Sequence, residues 1–140
     1  MHNLLRISEA TSLALHAMTY LAAQEKQGLH VISTKEISEA IEVSEAHLSK
    51  VFQRLARSGL LTAQRGPKGG VMLSDPPSKT NLLSIYEAIE GPLVSSDCLL
   101  KSKVCKPQEC VMGGLLESIN KQIKYYLERT KLSDIAKVYM

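Results

Sequence analysis

A pattern of two short helices followed by a glycine-rich hairpin occupies residues 33–73, and it limits the possible folds more than any other stretch. Ser33 and Glu36 have the spacing of a capping box, in which the serine hydroxyl accepts from a first-turn amide while the glutamate reaches back to the cap. Ser44 can cap a second helix. In the first helix the residues predicted to be buried are Ile37, Ala40 and Ile41, and in the second they are Leu48, Val51, Phe52 and Leu55.

The opposite face of the second helix is polar and mostly basic. Its residues are His47, Lys50, Gln53, Arg54 and Arg57. A recognition helix of this kind enters the major groove of DNA, where Lys50, Gln53 and Arg54 are predicted to reach base edges or flanking phosphates. Ser44, at the start of the helix, is positioned to receive a phosphate. For any one of these residues the alternative is a solvated surface position.

A small hairpin is predicted directly after these helices. Residues 61–65 alternate apolar and polar side chains as a half-buried strand does, residues 66–70 form a turn, and residues 71–73 return as the partner strand. Arg65 and Lys68 then lie near the tip of this wing, and Arg65 is expected at the minor groove. The predicted fold class is therefore mainly α with a small β-wing, a winged helix-turn-helix.

The wing also carries a resemblance to a known family. Residues 65–71, Arg-Gly-Pro-Lys-Gly-Gly-Val, follow the spaced pattern Leu48-x-x-Val51-Phe52-x-x-Leu55 and resemble the winged-helix regulators of the Rrf-two (Rrf2) family. The resemblance covers nearly the whole chain. It implies a homodimeric bacterial transcription regulator that binds double-stranded DNA, often with an iron-sulfur cluster on three cysteines after the wing. For some members it also implies a metabolic enzyme as partner.

Charge and composition agree with binding to a nucleic acid duplex. The net charge of the 140 residues is only +3, yet residues 47–79 contain six Lys and Arg against one acid, Asp75. Such a local surplus suits a phosphate-binding face. One Phe and no Trp disfavour a base-stacking surface for single-stranded RNA. The sequence shows no transmembrane run or signal peptide, so a cytoplasmic protein without a membrane partner is expected.

The length allows one domain plus an assembly segment, which we divide into residues 1–92 for DNA binding and residues 93–140 for the cysteine loop and dimerisation helix. Residues 29–32 are predicted as a short strand beside the wing, and Leu82–Glu90 as a helix stopped by Gly91-Pro92. Residues 111–127 carry an apolar stripe at helical spacing. This long helix either packs on its own domain or, as the resemblance implies, pairs with a second chain, and a short final helix beginning near Lys131 is expected on the other protomer.

All the cysteines of the chain lie within thirteen positions: Cys98, Cys105 and Cys110. An odd number of thiols in one short cytosolic loop indicates metal or redox chemistry, because structural disulfides are rare there and thiolates are ligands for iron-sulfur clusters. The alternative is three free thiols or a redox pair such as Cys98/Cys110. The two intervening segments of six and four residues leave the cluster type, 2Fe-2S or 4Fe-4S, open.

The first predicted helix, residues 8–23, holds a candidate fourth ligand. Glu9, Ser12 and His16 lie together off its apolar stripe, as solvated side chains or in a subunit contact. The resemblance implies that this helix of the partner subunit can supply a ligand, and His16 follows Ala14-Leu15 much as a ligand histidine follows such a pair in one relative. Ser12 stands where other relatives have an acidic ligand.

Two other function classes compete with that of a DNA-binding regulator. A protein-interaction module or enzyme-partnered thiol switch without a cluster is the main alternative, although the basic wing argues for DNA binding. An enzyme is not expected, since no nucleophile-base pair, nucleotide loop or paired catalytic carboxylates occur at an interpretable spacing.

Overall fold

The computed structural model describes residues 7–93, 100, 104–106 and 109–140. This part of the chain forms six α-helices, one 3-10 helix and a two-stranded antiparallel sheet. In chain order the elements are α1 Glu9–Lys26, α2 Thr34–Ala40, α3 Glu45–Arg57, β1 Leu61–Gln64, β2 Gly70–Leu73, α4 Leu82–Glu90, α5 Leu115–Arg129, α6 Leu132–Ile135 and the 3-10 helix Ala136–Tyr139. The predicted class, mainly α with a small β-wing, is confirmed.

Helix α1 forms the centre of the core. The Ser8 hydroxyl caps it by accepting from the backbone N–H of Thr11, and Gly28, with φ of +90°, follows its end. Its buried surface is wider than the predicted stripe and includes Thr11 and Thr19. The reason is that α1 has neighbours on several sides, since α3, α4, α6, β2 and the 3-10 helix all pack against it.

Helices α2 and α3 begin where the serine caps predict. The Ser33 hydroxyl accepts from the backbone N–H of Glu36 at 3.1 Å, and the Ser44 hydroxyl accepts from that of His47 at 3.3 Å. The predicted apolar stripe of α3 is buried: Leu48, Val51, Phe52 and Leu55. Burial of one such leucine side chain contributes roughly 2 kcal/mol.

The buried face of α2 differs from the prediction. Ile37 is buried, but Ala40 is exposed and Ile41 only half-buried, whereas Ser38 is buried. The Ser38 hydroxyl tolerates this position because it donates to the backbone oxygen of Lys35 at 2.7 Å.

The wing pairs Leu61 with Leu73 and Gln64 with Gly70. The short strand predicted at residues 29–32 is reduced to a single bridge, in which Ile32 exchanges two backbone hydrogen bonds with Val71. This bridge requires a glycine at position 70, because a Cβ there would lie 2.2 Å from the Ile32 backbone oxygen.

The prediction for α4 is confirmed at both ends. Gly91, with φ of +84°, ends the helix. Helix α5 begins at Leu115 rather than near residue 111, because Gly113 and Gly114 have φ of +60° and +78° and interrupt the helical backbone. No residue of α5 is buried, and no described helix is long and apolar enough to cross a membrane.

The last residues return to the core of their own chain, and the expected contact of the final helix with another protomer stays a prediction. Leu132 and Ala136 are buried against α1, and backbone hydrogen bonds join Leu82 to Thr130 and Leu132 to Thr80. The final helix therefore packs with residues 7–93. The division of the chain into residues 1–92 and 93–140 remains a proposal. Because residues 130–139 pack with the first unit, they would belong to that unit and not to the second.

Candidate nucleic-acid interface

The polar face of α3 is exposed at most of its predicted contact residues. Lys50, Gln53 and Arg57 are all solvent-exposed, while the opposite face is anchored in the core by Leu48 and Leu55. A helix fixed in this way presents its polar side chains as one surface. Two cations and an amide on this surface have the chemistry to contact phosphates and base edges.

The amino end of α3 is more constrained. The Ser44 hydroxyl is occupied as a cap by accepting from His47, although a hydroxyl can still donate. The Nδ1 atom of His47 lies 3.7 Å from a carboxylate oxygen of Glu9 in α1. This pair is an ion pair only when the imidazole is protonated. Because the Glu9 side chain is 78% exposed, the pair contributes little to stability.

Arg54 differs from the other predicted contact residues. Its Nη2 atom donates a hydrogen bond to the backbone oxygen of Ile89, in the last turn of α4. The side chain is exposed but is directed at a neighbouring helix of the same chain. One nitrogen of the Arg54 guanidinium therefore serves a backbone carbonyl of the protein, and the guanidinium has further N–H donors. The contact of Arg54 with a base edge or a flanking phosphate stays a prediction.

The wing places two cations at a compact tip. Arg65 and Lys68 are exposed, and the turn between them is closed by a 2.9 Å hydrogen bond from the Gly69 N–H to the Gly66 oxygen. Gly69 has no room for a side chain, because a Cβ would lie 2.3 Å from the backbone oxygen of Gln64. The tight turn therefore holds both cations beyond the paired strands.

Glu90 is a site residue that the sequence analysis missed. Its carboxylate accepts hydrogen bonds from the hydroxyls of Ser8 and Thr11, the latter at 2.6 Å. These two hydrogen bonds, with a smaller contribution from the positive charge of Arg54, lower the pKa of Glu90 below its usual value. No sequence pattern relates positions 8 and 90, because the contact arises only when α4 packs against α1.

Of the predicted metal ligands, Cys105, Cys110 and His16 lie among the described residues, and Cys98 lies outside them. Cys105, Cys110 and His16 are exposed. Within the described ranges, no three His, Cys, Asp or Glu side chains are grouped closely enough to hold a metal ion. The described candidates, Cys105, Cys110 and His16, are therefore not brought together within one chain.

The donor chemistry of these residues nevertheless suits an iron-sulfur cluster. Thiolates are the usual cluster ligands, and imidazole can replace a thiolate on cluster iron. The Nδ1 atom of His16 lies 2.7 Å from the backbone oxygen of Ser12. A carbonyl oxygen can only accept, so Nδ1 is the donor, and in the tautomer with its proton on Nδ1 the Nε2 atom can serve as a ligand.

An exposed recognition helix and a basic glycine-rich wing on one helical core define a winged helix-turn-helix transcription regulator. The model of the Rrf2 family, described as an iron-dependent transcriptional regulator, matches residues 7–138. The chain belongs to the Rrf2 family of DNA-binding transcription regulators, which are not enzymes.

Individual relatives agree with this assignment. A helix-turn-helix-type transcriptional regulator of Neisseria meningitidis is 31% identical over 131 residues, covering 94% of this chain and 87% of the relative. The regulator IscR of Cereibacter sphaeroides is 29% identical over 95% of this chain and 88% of its own length. Among solved structures, CymR, the global cysteine regulator of B. subtilis, has a TM-score of 0.79 at 27% identity, with 96% of this chain and 98% of CymR covered.

Proposed function

We propose that this regulator binds a two-fold operator as a dimer and that its cysteine segment senses iron-sulfur or redox state. The observation that carries the DNA-binding part is the joint exposure of the α3 cations and the wing cations on one rigid core. Helix α3 would enter the major groove through Lys50, Gln53 and Arg57, and Arg65 and Lys68 would lie at the backbone or minor groove. Ser44 and His47 would contact phosphate at the amino end of α3.

Dimerisation through α5 is supported by an apolar stripe that the described part of the chain covers only partly. None of its residues is buried, and Leu115 and Tyr126 are about half exposed. The stripe borders a groove of about 500 Å³ between α1, α4 and α5, which is lined by side chains such as Leu15, Leu82, Tyr86, Ile123 and Leu127. A second copy of α5 is the occupant that we propose, because a symmetric pair would bury both stripes together.

The cysteine segment is the proposed sensor. Cys98, Cys105 and Cys110 would supply three thiolates, and His16 of the partner subunit would supply the fourth ligand through Nε2. Support comes from the donor chemistry, from the tautomer that Ser12 fixes on His16, and from the iron-dependent description of the family model. An iron-sulfur cluster bound there would supply a redox- and ligand-sensitive link between subunits.

Anaerobic purification followed by absorption spectroscopy and iron and sulfide analysis tests the sensor. We expect coloured protein with bound iron and sulfide, and we expect Cys98→Ala, Cys105→Ala and Cys110→Ala each to remove the colour because the four proposed ligands then become three. Ser95→Ala is the matched control and should leave the spectrum unchanged. Colourless protein without iron, even after reconstitution, would contradict the cluster.

A thiol switch or an enzyme-partnered regulator without a cluster is the second candidate. It is favoured by the exposure of Cys105 and Cys110 and by the similarity to CymR, a cysteine regulator. In that case the iron-free protein would bind DNA, and mild oxidation or a metabolic enzyme would change its affinity. Either function would be carried out in the cytoplasm, where the DNA is.

A further inference from the structure

The carboxyl end of α4 is fastened to the first turn of α1. The Glu90 carboxylate accepts from the Ser8 and Thr11 hydroxyls, and the Ser8 hydroxyl oxygen also accepts from the Thr11 backbone N–H at 3.1 Å. Thr11 is fully buried. One carboxylate therefore joins the last residue of α4 to both the cap and the first turn of α1.

Arg54 fastens the recognition helix to the same point. Its guanidinium donates to the Ile89 oxygen, in the last turn of α4, where helical carbonyls lack partners within their own helix. A cation is also favoured there by the negative end of the helix dipole. The same charge lies close enough to Glu90 to favour its ionised form.

We propose that Arg54 is a positioning residue, which holds α3 at a fixed place on the carboxyl end of α4 and so affects DNA affinity without contacting DNA. Glu90 serves the same purpose by fixing α4 on α1 through Ser8 and Thr11. This inference rests on the proposed function, namely that α3 is the helix that reads DNA.

Ser8, Thr11, Arg54 and Glu90 together form a junction between α1, α3 and α4. The salt dependence of DNA binding distinguishes a residue of this junction from a phosphate contact. A cation bound to phosphate releases counterions, so its removal lowers the salt dependence of binding as well as the affinity. A positioning residue lowers affinity and leaves the salt dependence unchanged. Glu90 gives an even clearer contrast, because removal of a negative charge by itself should strengthen binding to DNA.

The experiment measures fluorescence anisotropy on a labelled duplex of about 30 base pairs, enriched from random-sequence DNA by the wild-type protein. Affinity is measured at several salt concentrations, well below the melting temperature of each variant. The variants are Arg54→Gln, Glu90→Gln, their double mutant and Thr11→Val, which removes one hydrogen bond to Glu90 without a change of charge. The comparison variants are Lys50→Gln, a proposed DNA contact, and Glu87→Gln, which makes the same charge change one turn earlier on α4.

We expect Arg54→Gln and Glu90→Gln each to weaken binding by about three- to tenfold, and Thr11→Val by about twofold, all with the wild-type salt slope. The double mutant should be little worse than the weaker-binding single mutant, because both break one junction. Glu87→Gln should bind as the wild type or slightly better. Lys50→Gln should lose affinity with a salt slope lower by about 1.

Three results would overturn the inference. A lowered salt slope in Arg54→Gln, with wild-type or tighter binding in Glu90→Gln and Thr11→Val, would make Arg54 a DNA contact. Wild-type affinity in all the junction variants, while Lys50→Gln still weakens binding, would make the junction irrelevant to recognition and leave the proposed function intact. Wild-type affinity in Lys50→Gln as well would show that α3 is not the helix that reads DNA. That result would overturn both this inference and the proposed function of α3.

Discussion

His16 donates a hydrogen bond from Nδ1 to the backbone oxygen of Ser12, one turn earlier in α1. The bond fixes which ring nitrogen carries the proton and orients Nε2 away from its own helix backbone. Metal-bound histidines commonly have their second nitrogen held in this way. The arrangement therefore suits a ligand role. The same hydrogen bond also gives Nδ1–H an acceptor when no metal is bound.

The His16 assignment predicts a change in the protein purified without oxygen. His16→Ala should lose the iron-sulfur absorption or shift it, because the cluster would exchange an imidazole for water or lose a ligand. His30→Ala is the matched control, since His30 is another exposed histidine of the same module and its Nδ1 lies 3.8 Å from Glu25. If both variants keep the wild-type spectrum, His16 is not the fourth ligand.

Arg65→Ala should weaken binding to all DNA sequences by about 1–3 kcal/mol and lower the salt slope by about 1, because an exposed wing cation meets the backbone or the minor groove. A titration across ionic strength on specific and mixed-sequence duplexes measures both quantities. Lys137→Ala removes the same charge from an exposed position on the 3-10 helix and serves as the control. An Arg65→Ala variant with the parent affinity and slope would show that the wing does not contact DNA.

Ile123→Asp should dissociate the dimer, because it would bury an unpaired carboxylate in the proposed seam between two α5 helices. Operator affinity should fall with it, since two half-sites need two linked recognition helices. Sedimentation analysis gives the mass. Lys124→Gln changes the net charge by the same amount on the polar face of α5 and should leave the mass unchanged; a dimeric Ile123→Asp would show that the stripe pairs differently.

Gly70→Ala should lower the free energy of unfolding by about 2–3 kcal/mol. The new Cβ would collide with the backbone oxygen of Ile32 and break the bridge between Ile32 and Val71 of the wing. Gly113→Ala tests backbone conformation without a collision, since position 113 has φ of +60° and open space. Its effect should be about 1 kcal/mol. Urea unfolding measures both, and equal losses would mean that the Ile32 contact is unimportant.

Glu90 should give stability a specific pH dependence. Its pKa is lowered in the folded state by hydrogen bonds from Ser8 and Thr11, so its contribution is present above the unfolded-state value of about 4.5 and is lost as pH falls through the lower folded-state value. The wild type should exceed Glu90→Gln in stability at neutral pH and converge with it in acid. The difference should be small because Glu90 is exposed. In a Thr11→Val background the stability difference made by Glu90→Gln should be smaller, because one hydrogen bond to the carboxylate is missing. A stability difference between the wild type and Glu90→Gln that is the same at every pH would exclude this linkage.

Local patterns predicted most of the helical framework. Ser33, Ser44 and Gly91 mark helix ends that the structure confirms, because caps and positive-φ glycines act through their immediate neighbours. The errors arose where packing or adjacent glycines decided the outcome. Ala40 faces solvent although it has helical spacing, and Gly113-Gly114 delays α5 although the apolar stripe starts earlier.

The candidate site was predictable as a chemical surface but not as a set of contacts. The cations of α3 and the wing follow from helical spacing and turn chemistry. The direction of the Arg54 guanidinium does not, because its partner is a backbone oxygen thirty-five positions away, and any residue could supply that atom. The Glu90 contact with Ser8 spans eighty-two positions and depends on the packing of α4 against α1.

The two ends of α5 are held differently. Its carboxyl end is fixed where Thr130 accepts from Leu82, whereas its amino end follows Gly113-Gly114 and, before them, Cys110. A helix of 15 residues is about 22 Å long, so a rotation of about 10° about the fixed end displaces the other end by about 4 Å. In such a rotation α5 would act as a lever with its pivot at the core. The cysteine segment is attached to the free end of this lever. A rearrangement there would need the least force to turn α5 and any partner surface that packs on it.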